Sequence, residues 1–163
     1  MGVAHALPLQ LNELPIGSLG TRADIYIEEA RALSFDEAQS QLREGKFRRG
    51  DQSILSEGIG AKPRWLHFEL VNPTAIVLPL KLVVGTTWTD KISVYLVHNK
   101  LTTTNWKTGD EAPHALGLTP GIGYTLAPNF APGRSDLYLR VESIDPLIFP
   151  IELMTEKEAD FHQ

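Results

Sequence analysis

From Trp65 onward, apolar and polar residues alternate with a period of two. Leu66, Phe68 and Leu70 interleave with Trp65, His67 and Glu69, and Ile92, Val94 and Leu96 interleave with Lys91, Ser93 and Tyr95. Leu137, Leu139 and Val141 do the same with Tyr138, Arg140 and Glu142. Strand geometry sends successive side chains to opposite faces, so each run predicts a strand with one apolar face. Ile76 to Val84 follows the same rule with Pro79 inside it, and a residue without an amide donor predicts an edge strand or a bulge there. Shorter strands are predicted at Ala23 to Glu28 and at Pro150 to Met154, where Ile151 and Leu153 share a side. Turn pairs separate the runs: Asn72-Pro73, Asn99-Lys100, Pro120-Gly121 and Pro132-Gly133.

One segment has a different signature. Ser34-Phe35-Asp36-Glu37 is a capping box, in which Ser34 accepts from the Glu37 amide and the Glu37 carboxylate reaches back. It predicts a short helix to about Leu42, ending near Gly45. Residues 1–20, broken by Pro8, Pro15, Gly17 and Gly20, predict an N-terminal tail. Residues 21–153 then form one all-β sandwich, and 154–163 a polar linker leading elsewhere. The Thr102 to Gly109 stretch reads as a loop carrying Trp106.

Composition narrows the function. A length of 163 residues suits one domain with a full core, and 42% hydrophobic with 21% charged residues excludes wholesale disorder. A formal net charge of −5 argues against nucleic acid as a partner, because phosphate binding needs a concentrated basic surface. Only Arg43 to Arg49 is locally basic, the pattern of a solvated loop. Without cysteine there is no disulfide frame, thiolate site or thiol nucleophile. Ala4-His5-Ala6 has the small-x-small form of a signal-peptidase site, without an apolar stretch before it.

No hydrolase elbow, phosphate loop or zinc motif occurs, and the five histidines have no convergent spacing. Gly58-Ile59-Gly60 and Gly121-Ile122-Gly123 lack the strand-to-helix context of a dinucleotide site. Catalysis is therefore the minority reading, and a paired-carboxylate glycosidase is its one surviving form. Asp90, Asp136 and Asp145 are loop acids that would suit calcium, without the Asp-x-Asp spacing that selects it.

The face opposite the apolar stripe carries the better signal. Pleating sends Trp65, His67, Tyr138, Arg140 and Glu142 to that face, and Tyr26 and Glu28 join them by the same parity. Rings beside fixed donors and acceptors are the makings of a sugar or small-carboxylate site. In that reading Trp65 stacks on the ligand, Arg140 holds an anionic or hydroxyl group, and Glu142 orients Arg140. Arg140→Ala would then weaken binding and spare the fold. The same cluster also fits a homodimer or partner interface with no small ligand.

The order of short motifs matches a known family. Tyr26-Ile27-Glu28-Glu29 is followed by the capped helix at Ser34, Phe47, Gly60, Trp65-Leu66-His67-Phe68 and Asn72. Asp90-Lys91-Ile92-Ser93-Val94-Tyr95, Gly109 and Pro132-Gly133 come next, then Leu137 to Ser143 and Pro150-Ile151-Glu152-Leu153. Over roughly residues 21 to 153 this resembles the extracellular 2 type of sensor domain from bacterial seven-transmembrane receptors with diverse intracellular signalling modules. The resemblance implies a jelly-roll sandwich similar to carbohydrate-binding modules. It further implies a periplasmic location and ligand sensing upstream of two-component or cyclic-dinucleotide output. Two positions depart from the pattern: Ala112 to Leu118 lacks the family's arginine, and Arg64 replaces an aromatic before Trp65.

Overall fold

The computed structural model describes residues 8–58, 60–86, 89, 91–108, 123–143 and 147–161. In chain order its first strands are β1 (Leu9–Gln10), β2 (Asp24–Ile27), β3 (Arg48–Arg49), β4 (Leu55–Glu57), β5 (Arg64–Asn72), β6 (Leu78–Pro79) and β7 (Lys81–Val84). There follow β8 (Lys91–His98), β9 (Leu101–Thr108), β10 (Tyr124–Leu126), β11 (Asn129–Phe130), β12 (Gly133–Glu142), β13 (Leu147–Phe149) and β14 (Ile151–Met154). Helix α1 (Phe35–Arg43) lies between β2 and β3, and α2 (Glu156–Phe161) follows β14.

The long alternating strands build the large sheet, in the order β3-β2-β5-β12-β8-β9, with β1 added in parallel against β5. Strand β12 is central: Tyr138 sits opposite His67 on one side and Tyr95 on the other. A smaller sheet, β10-β7-β14, and the two-stranded ribbons β11-β6 and β13-β4 complete the architecture. One core joins the two layers. Leu66, Phe68, Val94, Leu96, Leu137 and Leu139 from the large sheet share it with Leu82, Val84, Leu126, Ile151 and Leu153 from the small one. This is an all-β jelly-roll sandwich with one short helix on its outer face. Burying such stripes from both sides is the main force holding the layers together.

Helix α1 forms as its capping box predicts. Ser34 Oγ accepts from the Glu37 amide at 3.2 Å, and Glu37 Oε1 accepts from the Ser34 amide at 3.0 Å. A hydrogen bond from Arg31 together with these contacts pushes the Glu37 carboxyl down to about 2. The Asn99-Lys100 turn also forms as expected, both residues taking positive φ, 50° and 66°, to close the β8-β9 hairpin.

Several expectations change. The predicted tail is structured from Leu9 onward. Leu9 pairs with Leu70, and Leu9, Leu11 and Leu19 are core residues, apolar content that the proline and glycine punctuation masked. The predicted Ile76 to Val84 strand is two strands. Strand β6, with Pro79 in register opposite Asn129, pairs β11, and after Leu80 the chain changes partner to β10 and β14. Ile76, which the alternation put on the apolar face, consequently lies exposed rather than in the core. Thr102 to Gly109 is mostly strand β9, whose polar β-branched residues suit a sheet edge, and Trp106 packs half-buried against the core. Ala4 to Ala6, Trp88, Asp90, Ala112 to Leu118, Gly121-Ile122 and Asp145 lie outside the described residues.

Candidate functional site

Parity brings the seven singled-out residues to one face, as the pattern predicts. Register places Tyr26 opposite Trp65, Trp65 opposite Arg140, and His67 opposite Tyr138, while Asp24 lies opposite His67 on the other side. Glu28, one residue beyond β2, folds its carboxylate back over the same face. Glu28 Oε2 accepts from the Trp65 indole at 2.8 Å, from Arg140 Nε at 2.9 Å and from the Leu33 amide at 3.1 Å. Glu28 Oε1 accepts from an Arg140 terminal nitrogen at 2.8 Å, and the other terminal nitrogen donates to Glu142 at 3.0 Å. Burial works to raise the Glu28 pKa. The hydrogen bonds from Arg140, Leu33 and Trp65 outweigh it and hold the carboxyl below its ordinary range. The same contact with Glu28 raises the Arg140 pKa.

The face is not open to water. Helix α1 lies over it, and Phe35, Ala38 and Leu42 pack with Trp65, Tyr138, Tyr26, Phe47 and Tyr95 into a second, smaller core. Phe35 stacks on Tyr95 with centroids 4.2 Å apart and meets Tyr138 edge-on at 5.1 Å. Trp65 is 1% exposed, flanked by Phe35 and Tyr95, so it has no free ring face to offer a ligand while α1 is seated. Tyr138 is also buried, which raises its hydroxyl pKa. Arg140 likewise has each guanidinium nitrogen committed to a carboxylate. The exposed aromatic–arginine platform expected from the alternation is thus a roofed network. Strand parity cannot see the roof. The signal lay in α1 itself, where Phe35, Ala38 and Leu42 recur at helical spacing and require a face to bury against.

His67 holds the other half of the face. Its Nδ1 lies 3.1 Å from Asp24 Oδ2 and its Nε2 2.7 Å from Asp136 Oδ1, so one imidazole ties β2, β5 and β12 together. Asp136 is therefore not a loop acid but a strand residue engaged with His67. Burial lowers the His67 pKa, and the hydrogen bonds it makes to Asp136 and Asp24 more than reverse this, leaving it raised. A raised folded-state value contributes stability that is full below the ordinary histidine value of 6.5 and disappears as pH rises through the folded value. The melting temperature should therefore fall as pH rises above the ordinary histidine value of 6.5, and His67→Gln should flatten that part of the profile. A profile equally steep in the variant would refute the assignment.

Beside this network the edge of the sheet opens into a groove of about 490 Å³. Tyr26 belongs to both. The groove's other walls are Arg48 and Arg49 of β3, Asp51 and Gln52 after it, Glu57 of β4 and Arg64 of β5. Arg64, the cation that stands in place of an aromatic before Trp65, is buried on the groove wall, 3.4 Å from Glu57. Among the described residues, no group of three or more His, Asp or Glu gathers to hold a metal, and no helix is long and apolar enough to cross a membrane.

A family model for the 7TMR-DISM extracellular 2 domain matches residues 20–155. The chain belongs to that family. A 7TMR-DISM extracellular 2 domain is the sensor portion of a membrane receptor, outside the cytoplasm on the periplasmic side. No curated protein matches the sequence. Among solved structures, this chain is similar to the pre-peptidase C-terminal domain of collagenase from Bacillus anthracis. The two are 13% identical, with a TM-score of 0.37, over 61% of this chain and 84% of that one.

Proposed function

We propose that this domain is a non-catalytic, ligand-sensing input module whose ligand is a sugar or a small carboxylate. The groove beside Tyr26 carries the reading. Its volume of about 490 Å³ suits a small molecule, and its walls mix one ring with several charged groups. Trp65, His67, Glu28, Tyr138, Arg140 and Glu142 act behind it. They fix β2 to β5 and β12, so that a ligand touching Tyr26 meets a strand already tied to the helix and the central sheet.

A thermal-shift screen against neutral sugars, sugar acids, small carboxylates and calcium tests the proposal. Binding to the native state stabilises it by about 2.7 kcal/mol at a hundredfold excess over the dissociation constant. A saturable rise in melting temperature with one class is expected, reduced by Tyr26→Ala. A flat response to all four classes would remove the small-ligand reading.

A further inference from the structure

The Arg43 to Arg49 stretch has the composition of a solvated loop, yet its last two residues are strand β3 and line the groove. Adjacent strand residues ordinarily point to opposite faces. Here the strand is two residues long and at the sheet edge, and both residues are exposed and border the same groove.

The charge accounting singles them out. The lining holds four cations, Lys46, Arg48, Arg49 and Arg64, and three carboxylates, Glu29, Asp51 and Glu57. Glu57 is paired with Arg64, and Glu29 lies 2.5 Å from Lys62, outside the lining. Lys46 is 3.8 Å from Glu44. Among the described residues, neither Arg48 nor Arg49 has a carboxylate within ion-pair distance. In a chain of net charge −5, two adjacent guanidiniums outside ion-pair distance of a carboxylate, Arg48 still within Coulombic reach of Glu29, are a local reversal of sign. Gly50 donates to the Ala23 carbonyl at 2.8 Å and Gly20 to that of Ser53 at 2.9 Å, holding segment 50–53 against the body of the sandwich.

We infer that this groove binds the oxyanion of a small ligand, a carboxylate or a phosphate, with Arg48 and Arg49 as the gripping cations. The planar guanidinium fork matches two-oxygen acceptors, which is why arginine suits this task better than lysine. Asp51, on the same wall, accepts from a hydroxyl of the same ligand. The inference rests on the ligand-sensing reading and gives it a place and a chemical class.

Isothermal titration of the purified domain with citrate, inorganic phosphate and glucose at matched ionic strength tests it. Citrate or phosphate should bind the wild type, the better of the two identifying the anion. Arg48→Gln with Arg49→Gln should weaken that binding roughly tenfold or more, a loss of about 1.4 kcal/mol. The charge-matched control, Lys107→Gln with Lys157→Gln, removes two exposed cations elsewhere and should bind as the wild type. Unchanged binding in the arginine variant, an equal loss in the control, or no binding of either anion at up to roughly 10 mM would overturn the inference. Glucose binding equally to wild type and arginine variant would also overturn it, while leaving the sensing function in place. Circular dichroism confirms that each variant is folded.

Discussion

Glu28→Ala should cost about 3–5 kcal/mol of folding stability, the largest effect expected from any polar substitution in this domain. The carboxylate is buried and accepts from Trp65, Leu33 and Arg140 at once. Removing it leaves the Arg140 cation, 17% exposed at its side chain, with Glu142 as its remaining partner, and two other donors with none. Glu28→Gln keeps acceptor capacity and loses the charge, so its cost should fall between wild type and alanine. Arg140→Ala is expected to destabilise as well, because it orphans the Glu28 charge. This reverses the expectation from sequence that the fold would be spared. In a double-mutant cycle by urea denaturation, the pair should cost clearly less than the sum of the singles. A Glu28→Ala cost below about 1 kcal/mol, or strict additivity, would show that the network is not coupled.

Gly20→Ala should destabilise by about 3 kcal/mol, although replacing glycine by alanine normally helps. The ordinary gain, about 0.4–1 kcal/mol, comes from restricting the unfolded chain. At Gly20 the backbone angle is no obstacle. A β-carbon there would stand 2.0 Å from the Gln52 carbonyl oxygen and 2.5 Å from that of Ser53. Both are backbone atoms, so relief requires moving the floor of the groove. Gly58→Ala is the control, since nothing lies within 4 Å of the added carbon. It should be neutral or slightly stabilising. Equal melting temperatures for the two variants would mean that segment 50–53 yields freely.

The fold was largely legible because its long strands are amphipathic in the simplest way. The stripes of β5, β8 and β12 are core residues, and the capping box marked α1 to within a residue. What alternation could not supply were the short elements. Strands of two or three residues such as β3, β4, β6 and β11 hold too few positions to show a period. Their identity comes from partners far along the chain. The candidate site divides the same way. Parity brought Trp65, His67, Tyr138, Arg140, Glu142 and Tyr26 together, because parity is a property of each strand alone. It missed Asp24 and Asp136 on His67 and the Leu33 amide on Glu28, because those contacts depend on register and on where α1 settles. Arg48 and Arg49 read as solvated charge and are exposed, and that they also border a groove between β2, β3 and β4 has no local sequence signature.

The central position of β12 has a kinetic consequence. Trp65 in β5 and Ile92 in β8 are both neighbours of β12 residues, Arg140 and Val141, that follow them late in the chain. During synthesis or export, β5 and the β8-β9 hairpin therefore emerge with open edges and wait for the strand that joins them. Closing such distant pairings is entropically costly, so this domain should fold on the slow side for its size, with assembly of the large sheet limited by the arrival and docking of residues 133–142.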